Sequence, residues 1–199
     1  MRFPWPAWTL LGVGGALVAT YGLGELWLYD RTALARGELW RLWTAHGVHF
    51  SSAHLAWNLA AFVPAGLWLE RLAPKTLALG LLLWPPALAF VLWVGDPLLI
   101  RYGGLSGLTT AVIAALAVYQ IKARHPRRWF WGGLLVLLIG KIVAEHLGYT
   151  PSGLSFRDPT LRGVPLAHLA GLGLGALSGL ISRPGPHAPP GPPIARGSS

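Results

Sequence analysis

A serine hydroxyl, two imidazoles and a carboxamide are the groups in this chain whose spacing can do chemistry. Ser106 stands in Tyr102-Gly103-Gly104-Leu105-Ser106-Gly107. A polar, turn-like stretch holding Asp96, Pro97 and Arg101 precedes it, and the apolar run Leu108 to Val118 follows. Ser106 therefore opens a helix, where a hydroxyl is either a cap for free helix N–H groups or a nucleophile. Gly104 and Gly107 leave its oxygen uncrowded and leave backbone N–H groups able to face a developing oxyanion.

A nucleophilic serine needs a base, and His168 is the candidate. Gly171, Gly175 and Gly179 follow it at offsets of three, seven and eleven, on its own helix face. The small residues Thr110, Ala114 and Ala117 follow Ser106 at similar spacing, so the two faces can mate and bring His168 to Ser106. The same pattern also describes a packing seam with a hydrogen-bonded histidine, and spacing alone leaves both readings open. His54 and Asn58 are four apart and project from one face. Both donate hydrogen bonds. They form an oxyanion hole if that face turns to Ser106, and a buried polar pair satisfying loop backbone if it does not.

The remaining polar residues give less. His46 and His49 lack the cysteine or carboxylate partners of a metal centre, and His-Glu-x-x-His is absent, so neither a metal nor a cofactor is expected. Lys141 and Glu145, four apart, are expected to pair inside the bundle, in a structural or positioning role. Asp96 and Asp158 are the carboxylates available as a third member, but neither has a supporting spacing. A Ser–His dyad is the favoured reading.

The elements that must position these groups are those of a membrane protein. Apolar residues make up 53% of the 199 and charged residues only 12%, about half the charge of a soluble domain. The 26 glycines and 11 tryptophans suit close helix packing and interfacial aromatic belts. The net charge of +9 does not indicate nucleic acid, because the basic residues cluster between apolar segments rather than on one amphipathic face. With no cysteine, disulfides and thiol chemistry are excluded.

Hydropathy predicts six spans: Trp5 to Leu28, Ala53 to Leu69, Thr76 to Val94 with a Pro85-Pro86 kink, Leu105 to Tyr119, Trp129 to Leu147, and Val164 to Ile181. The first is read as a retained helix rather than a signal peptide. Tyr29 to Ser52, with Trp40, Arg41 and Trp43, reads as an ordered interfacial loop, and Gly148 to Gly163 as a polar loop. The membrane domain is expected over 1–182 and a disordered Pro- and Gly-rich tail over 183–199. Nine Lys and Arg residues fall on one side and six on the other, led by Lys122, Arg124, Arg127 and Arg128, which places both termini in the cytoplasm. Spans two, four and six then descend from the outer face and carry His54, Asn58, Ser106 and His168 in their first turns, at one depth.

In the same order, Trp40-Arg41-Leu42-Trp43-Thr44, His49-Phe50, His54-x-x-x-Asn58, Gly104-Leu105-Ser106-Gly107 and Ala167-His168-x-x-Gly171-x-x-x-Gly175 resemble the motifs of the rhomboid family of intramembrane serine proteases, over about Glu38 to Leu180. Each motif alone is weak, Gly-x-Ser-Gly especially. The resemblance implies Ser106 as nucleophile, His168 as general base, and His54, Asn58 and the Ser106 N–H as oxyanion hole. It also implies membrane-anchored protein substrates in the lipid bilayer. Many rhomboids stack an aromatic residue, four after the serine, on the histidine ring. Here that position is Thr110, whose hydroxyl is a candidate to orient His168 instead. The short six-helix form with Lys141 and Glu145-His146 resembles the rhombosortase branch, which implies a bacterial inner-membrane enzyme acting on exported proteins with a carboxy-terminal Gly-Gly sorting signal. The alternatives are a general rhomboid protease or a non-proteolytic rhomboid-like binder of membrane clients. A small transporter is disfavoured because the polar residues gather at one face.

Overall fold

A computed structural model describes residues 7–21, 24–149 and 163–183; the tail and Asp158 lie outside the described residues. The elements run α1 (Ala7–Tyr21), α2 (Gly24–Trp27), β1 (Tyr29–Asp30), α3 (Arg31–Ala35), α4 (Arg41–Thr44), α5 (Ser52–Leu72), α6 (Pro74–Gly95), β2 (Arg101–Tyr102), α7 (Ser106–Lys122), α8 (Arg128–His146) and α9 (Pro165–Ile181). Two of these helices, α6 and α8, are long and apolar enough to cross a membrane, and α1, α7 and α9 are shorter apolar helices. The stretch Trp5 to Leu28, expected as one span, is described as α1 followed by the short α2.

The centre of the bundle is α7, with buried residues around its whole circumference from Gly107 to Gln120. Its Leu108, Ala111, Val112, Ala115 and Leu116 form one apolar core with Phe62 and Leu69 of α5, Leu77, Trp84 and Leu88 of α6 and Trp131 of α8. By contrast α8 is peripheral, with Trp131 and Ile142 its two buried residues.

The tightest contact is between α7 and α9. A methyl group on Gly171 or Gly175 would overlap the carbonyl oxygens of Gly107 and Ala111, and one on Gly179 would lie 2.6 Å from that of Ala115. The two backbones therefore touch directly, which only glycine on α9 permits. The small residues under the seam are Gly107, Ala111 and Ala115. The expected Thr110, Ala114 and Ala117 are buried on α7 but are not the groups that meet the glycines. The shift by one position arises because the glycines rest on backbone carbonyls rather than between small side chains.

The bundle has two distinguishable ends. At one end Lys122 reaches the Ser182 carbonyl at 3.0 Å, Thr76 bonds the Ser182 hydroxyl at 2.6 Å, and Trp68 packs edge-on to Trp131. At the other end lie the first turns of α5, α7 and α9, beneath the segment joining α2 to α5. That segment is a folded unit. Tyr29 and Asp30 pair antiparallel with Tyr102 and Arg101, so it is zipped to the strand that leads into Ser106. Arg41, 6% exposed, donates to the carbonyls of Glu25 and Leu28 at 3.0 and 2.8 Å and pairs with Glu38. Arg31 donates to the carbonyls of Trp93 and Asp96 at the end of α6.

Pro85 and Pro86 lie inside α6 and supply no N–H to the turn before them. Leu82, four residues before Pro86, has a carbonyl left without its helical partner, and the Trp43 indole N–H donates to it at 2.8 Å. His46 Nε2 donates to the Pro85 carbonyl at 2.9 Å. The proline pair expected as a kink thus also anchors the α2–α5 segment.

The seam makes a direct prediction. Gly175→Ala forces the two backbones apart and should destabilise by about 1–3 kcal/mol, an overpacking penalty. Gly173→Ala, whose methyl meets nothing within 4 Å, should be neutral or stabilising by up to about 1 kcal/mol. Thermal unfolding in detergent checks the pair, and equal midpoints for the two variants would refute the seam.

Candidate active site

Ser106 is the first residue of α7, half-buried, and no side chain caps that helix. Its hydroxyl meets the Tyr102 hydroxyl instead, and Tyr102 in turn donates to the Gly104 carbonyl at 3.1 Å. The cap position of α7 is Leu105, so Ser106 does not cap this helix. Gly104 has φ +140°, a backbone that side chains rarely adopt. A Cβ there would come 3.3 Å from His54 Cε1 and 3.9 Å from Ser106 Oγ, so this one position borders both side chains. Gly107 lies against Ala167, with 3.1 Å between its would-be Cβ and the Ala167 carbonyl, which carries the start of α9 to the Ser106 turn. His168 is buried on that first turn of α9. The four expected residues therefore converge at one end of the bundle.

Asn58 is buried one turn below His54 on α5, whose start is capped by the Ser51 hydroxyl accepting from the His54 N–H at 3.1 Å. The Asn58 amide lies 3.2 Å from His49 Nε2, and the same nitrogen accepts from the Leu105 N–H at 3.3 Å. The tautomer follows from the far side of the ring. His49 Nδ1 faces the Gly47 carbonyl at 2.9 Å, and a carbonyl only accepts, so the proton sits on Nδ1 and Nε2 offers its lone pair. His49 thus ties Asn58 to the residue preceding Ser106, and its ring packs edge-on to His54 with centroids 5.1 Å apart. His46 and His49, weighed in the sequence as metal ligands, point to different partners, Pro85 for one and Gly47, Leu105 and Asn58 for the other.

Thr110 does not orient His168. Its hydroxyl donates to the Ser106 carbonyl at 2.9 Å, one turn back along α7. The group on the His168 ring is Glu145, whose Oε2 lies 2.6 Å from Nδ1. The other oxygen, Oε1, accepts from Lys141 Nζ at 2.6 Å. Lys141 and Glu145 pair as their spacing predicts, but the carboxylate also serves the imidazole, a contact that sequence reasoning missed. The depth argument could have found it: α8 climbs toward the end from which α9 descends, so its last turn lies level with the first turn of α9. Tyr102 was missed as well, and no sequence signal marks it beyond its place four residues before Ser106.

This arrangement defines a class: a helical membrane bundle with a serine, two histidines and an asparagine gathered where three helices begin. A family model described as the rhomboid domain matches residues 36–185, most of the chain. The chain belongs to the rhomboid family, whose members are integral membrane proteins and generally intramembrane serine proteases acting on membrane-anchored substrates, with inactive members among them. A comparison with curated proteins finds no match.

Burial pushes the imidazoles of His46 and His49 down to about 4 from 6.5. The unfolded chain takes up these protons below pH 6.5, whereas the folded chain resists until about pH 4. Stability is therefore full above the upper value and lost as pH falls through this window, by roughly 3 kcal/mol for each ring. The unfolding midpoint should drop between pH 7 and pH 5. In His49→Gln, which keeps a donor and an acceptor but takes up no proton, the drop should be shallower; an unchanged slope would count against the assignment.

Proposed function

We propose that this chain is an intramembrane serine endopeptidase with Ser106 as nucleophile and His168 as general base. Ser106 Oγ attacks the scissile carbonyl carbon while its proton passes to His168. The tetrahedral oxyanion is held by His54, Asn58 and the Ser106 backbone N–H. Collapse expels the amine, which takes the proton from His168, and water then hydrolyses the acyl-enzyme. Gly104 and Gly107 keep the approach to Oγ open, and Gly171 and Gly175 hold α9 against α7. The observation that carries this reading is that Ser106 and His54 both border the Gly104 position while Ala167, the residue before His168, packs on Gly107.

In this reading α1, α5, α6, α7, α8 and α9 are six spans, the α2–α5 segment lies in the interface with Trp40 and Trp43 half-exposed, and both termini are cytoplasmic. The basic residues Arg71, Lys75, Lys122, Arg124, Arg127 and Arg128 flank helix ends at the pole opposite the site, which supports that orientation. A substrate amide inside a lipid-embedded helix is hydrogen-bonded and shielded, so the segment cleaved must unwind. Substrates with glycine near the outer end of their anchor suit this requirement. Together with the Lys141, Glu145 and His146 positions, this favours a rhombosortase of a bacterial plasma membrane, acting on exported proteins with a carboxy-terminal Gly-Gly signal.

Ser106→Ala should abolish cleavage of a Gly-Gly-anchored reporter in proteoliposomes and abolish fluorophosphonate labelling. His54→Ala and Asn58→Ala should each lower kcat by about 10²–10³. Cleavage that survives Ser106→Ala would overturn the protease reading. A wild-type chain that binds the reporter but neither cleaves it nor takes the label would identify a client-binding protein.

A further inference from the structure

We propose that Glu145 is a positioning residue for His168 and makes the site a Ser–His–Glu relay rather than a dyad, with Lys141 holding the carboxylate in place. The inference rests on the protease reading above. A base for Ser106 must present a lone pair at one ring nitrogen and carry its proton at the other. Among the described residues, the side chains within bonding distance of the His168 ring are Glu145 and Lys141. A carboxylate only accepts, so the 2.6 Å contact puts the proton on Nδ1 and leaves the lone pair on Nε2. The Lys141 ammonium lies 3.4 Å from the same Nδ1, but both groups are donors there, so this contact is an approach and not a bond.

The geometry gives each carboxylate oxygen one donor. Oε2 takes the imidazole and Oε1 takes Lys141 one turn earlier on α8, the lysine fixing the rotamer that reaches α9. The Glu145 and His168 side chains are each 11% exposed, so their attraction is little diluted by water. When His168 takes the Ser106 proton it becomes an imidazolium, and the adjacent anion stabilises that charge. The proton stays on the ring and returns to the leaving amine, so Glu145 neither gains nor loses one. Thr110, the other candidate to orient the ring, donates its hydroxyl to the Ser106 carbonyl.

The test uses the full-length protein in proteoliposomes with the Gly-Gly-anchored reporter. Glu145→Gln, which keeps the shape, and Glu145→Ala should lower kcat by about 10²–10⁴ while KM stays within about twofold. Fluorophosphonate labelling of Ser106 should slow in step, and Glu145→Asp should recover part of kcat. A Glu145→Gln protein with wild-type unfolding midpoint and wild-type kcat overturns the proposal, as does a loss confined to KM. If Glu145→Ala does not fold, Glu145→Gln decides. Cleavage by Ser106→Ala would instead remove the protease reading itself, so the two failures are distinguishable.

Discussion

The site depends on two backbones in contact. Side chains normally keep helices 8–10 Å apart, and at that distance the first turn of α9 would stand away from the Ser106 turn. The glycines at 171, 175 and 179 remove the spacer, so α9 lies directly on the carbonyls of Gly107, Ala111 and Ala115. Two consequences follow from this one contact. The first turn of α9, which carries His168, is held against the Ser106 turn, with Ala167 on Gly107. The register is also fixed, since a slide along α7 would drive the next side chain of α9 into a carbonyl. In a bilayer, where lipid tails are as apolar as leucine, association rests on this close packing rather than on a hydrophobic drive.

The opposite wall is set by a different device. The α2–α5 segment is rich in polar backbone, and its indole and imidazole donors need acceptors. Pro86 provides one by failing to supply the N–H that would have taken the Leu82 carbonyl, and Trp43 fills that role. His46 adds the Pro85 carbonyl, and the β1–β2 pairing continues the same segment into the strand before Ser106. A helix imperfection in α6 and a pair of two-residue strands thus orient the approach to Ser106. His49 closes the set by joining Leu105 to Asn58, so the residue before Ser106 and the Asn58 amide share one acceptor.

Much of this was legible in the sequence. Ser106, His54, Asn58 and His168 were placed by the position of odd polar residues within apolar runs, which depends only on the direction of each helix. The glycine face of α9 was read correctly from its spacing. Its partner face on α7 was not, because periodicity identifies small residues but not whether the neighbour rests on side chains or on carbonyls. Thr110 was read as a partner for His168, yet a threonine inside a helix commonly bonds the carbonyl four residues back, and it does so here. Glu145 was assigned Lys141 as its mate and a structural or positioning role, without the group it would position. A carboxylate has two oxygens, and a local spacing rule satisfies only one of them.

That second oxygen bears on a requirement of the membrane setting. Serine attack creates an oxyanion and an imidazolium together, and separated charges in a low-dielectric site need fixed partners rather than mobile water. In the proposed mechanism His54 and Asn58 supply donors on one side of the reacting carbonyl, and Glu145 supplies an anion on the other. An isolated carboxylate at that depth would itself be costly. Lys141 solves this from the same helix, so the Lys–Glu pair enters the site with no net charge and still offers a negative oxygen to the ring. The pairing that looked like ordinary helix stabilisation is then the condition that lets a charged relay sit within a membrane bundle.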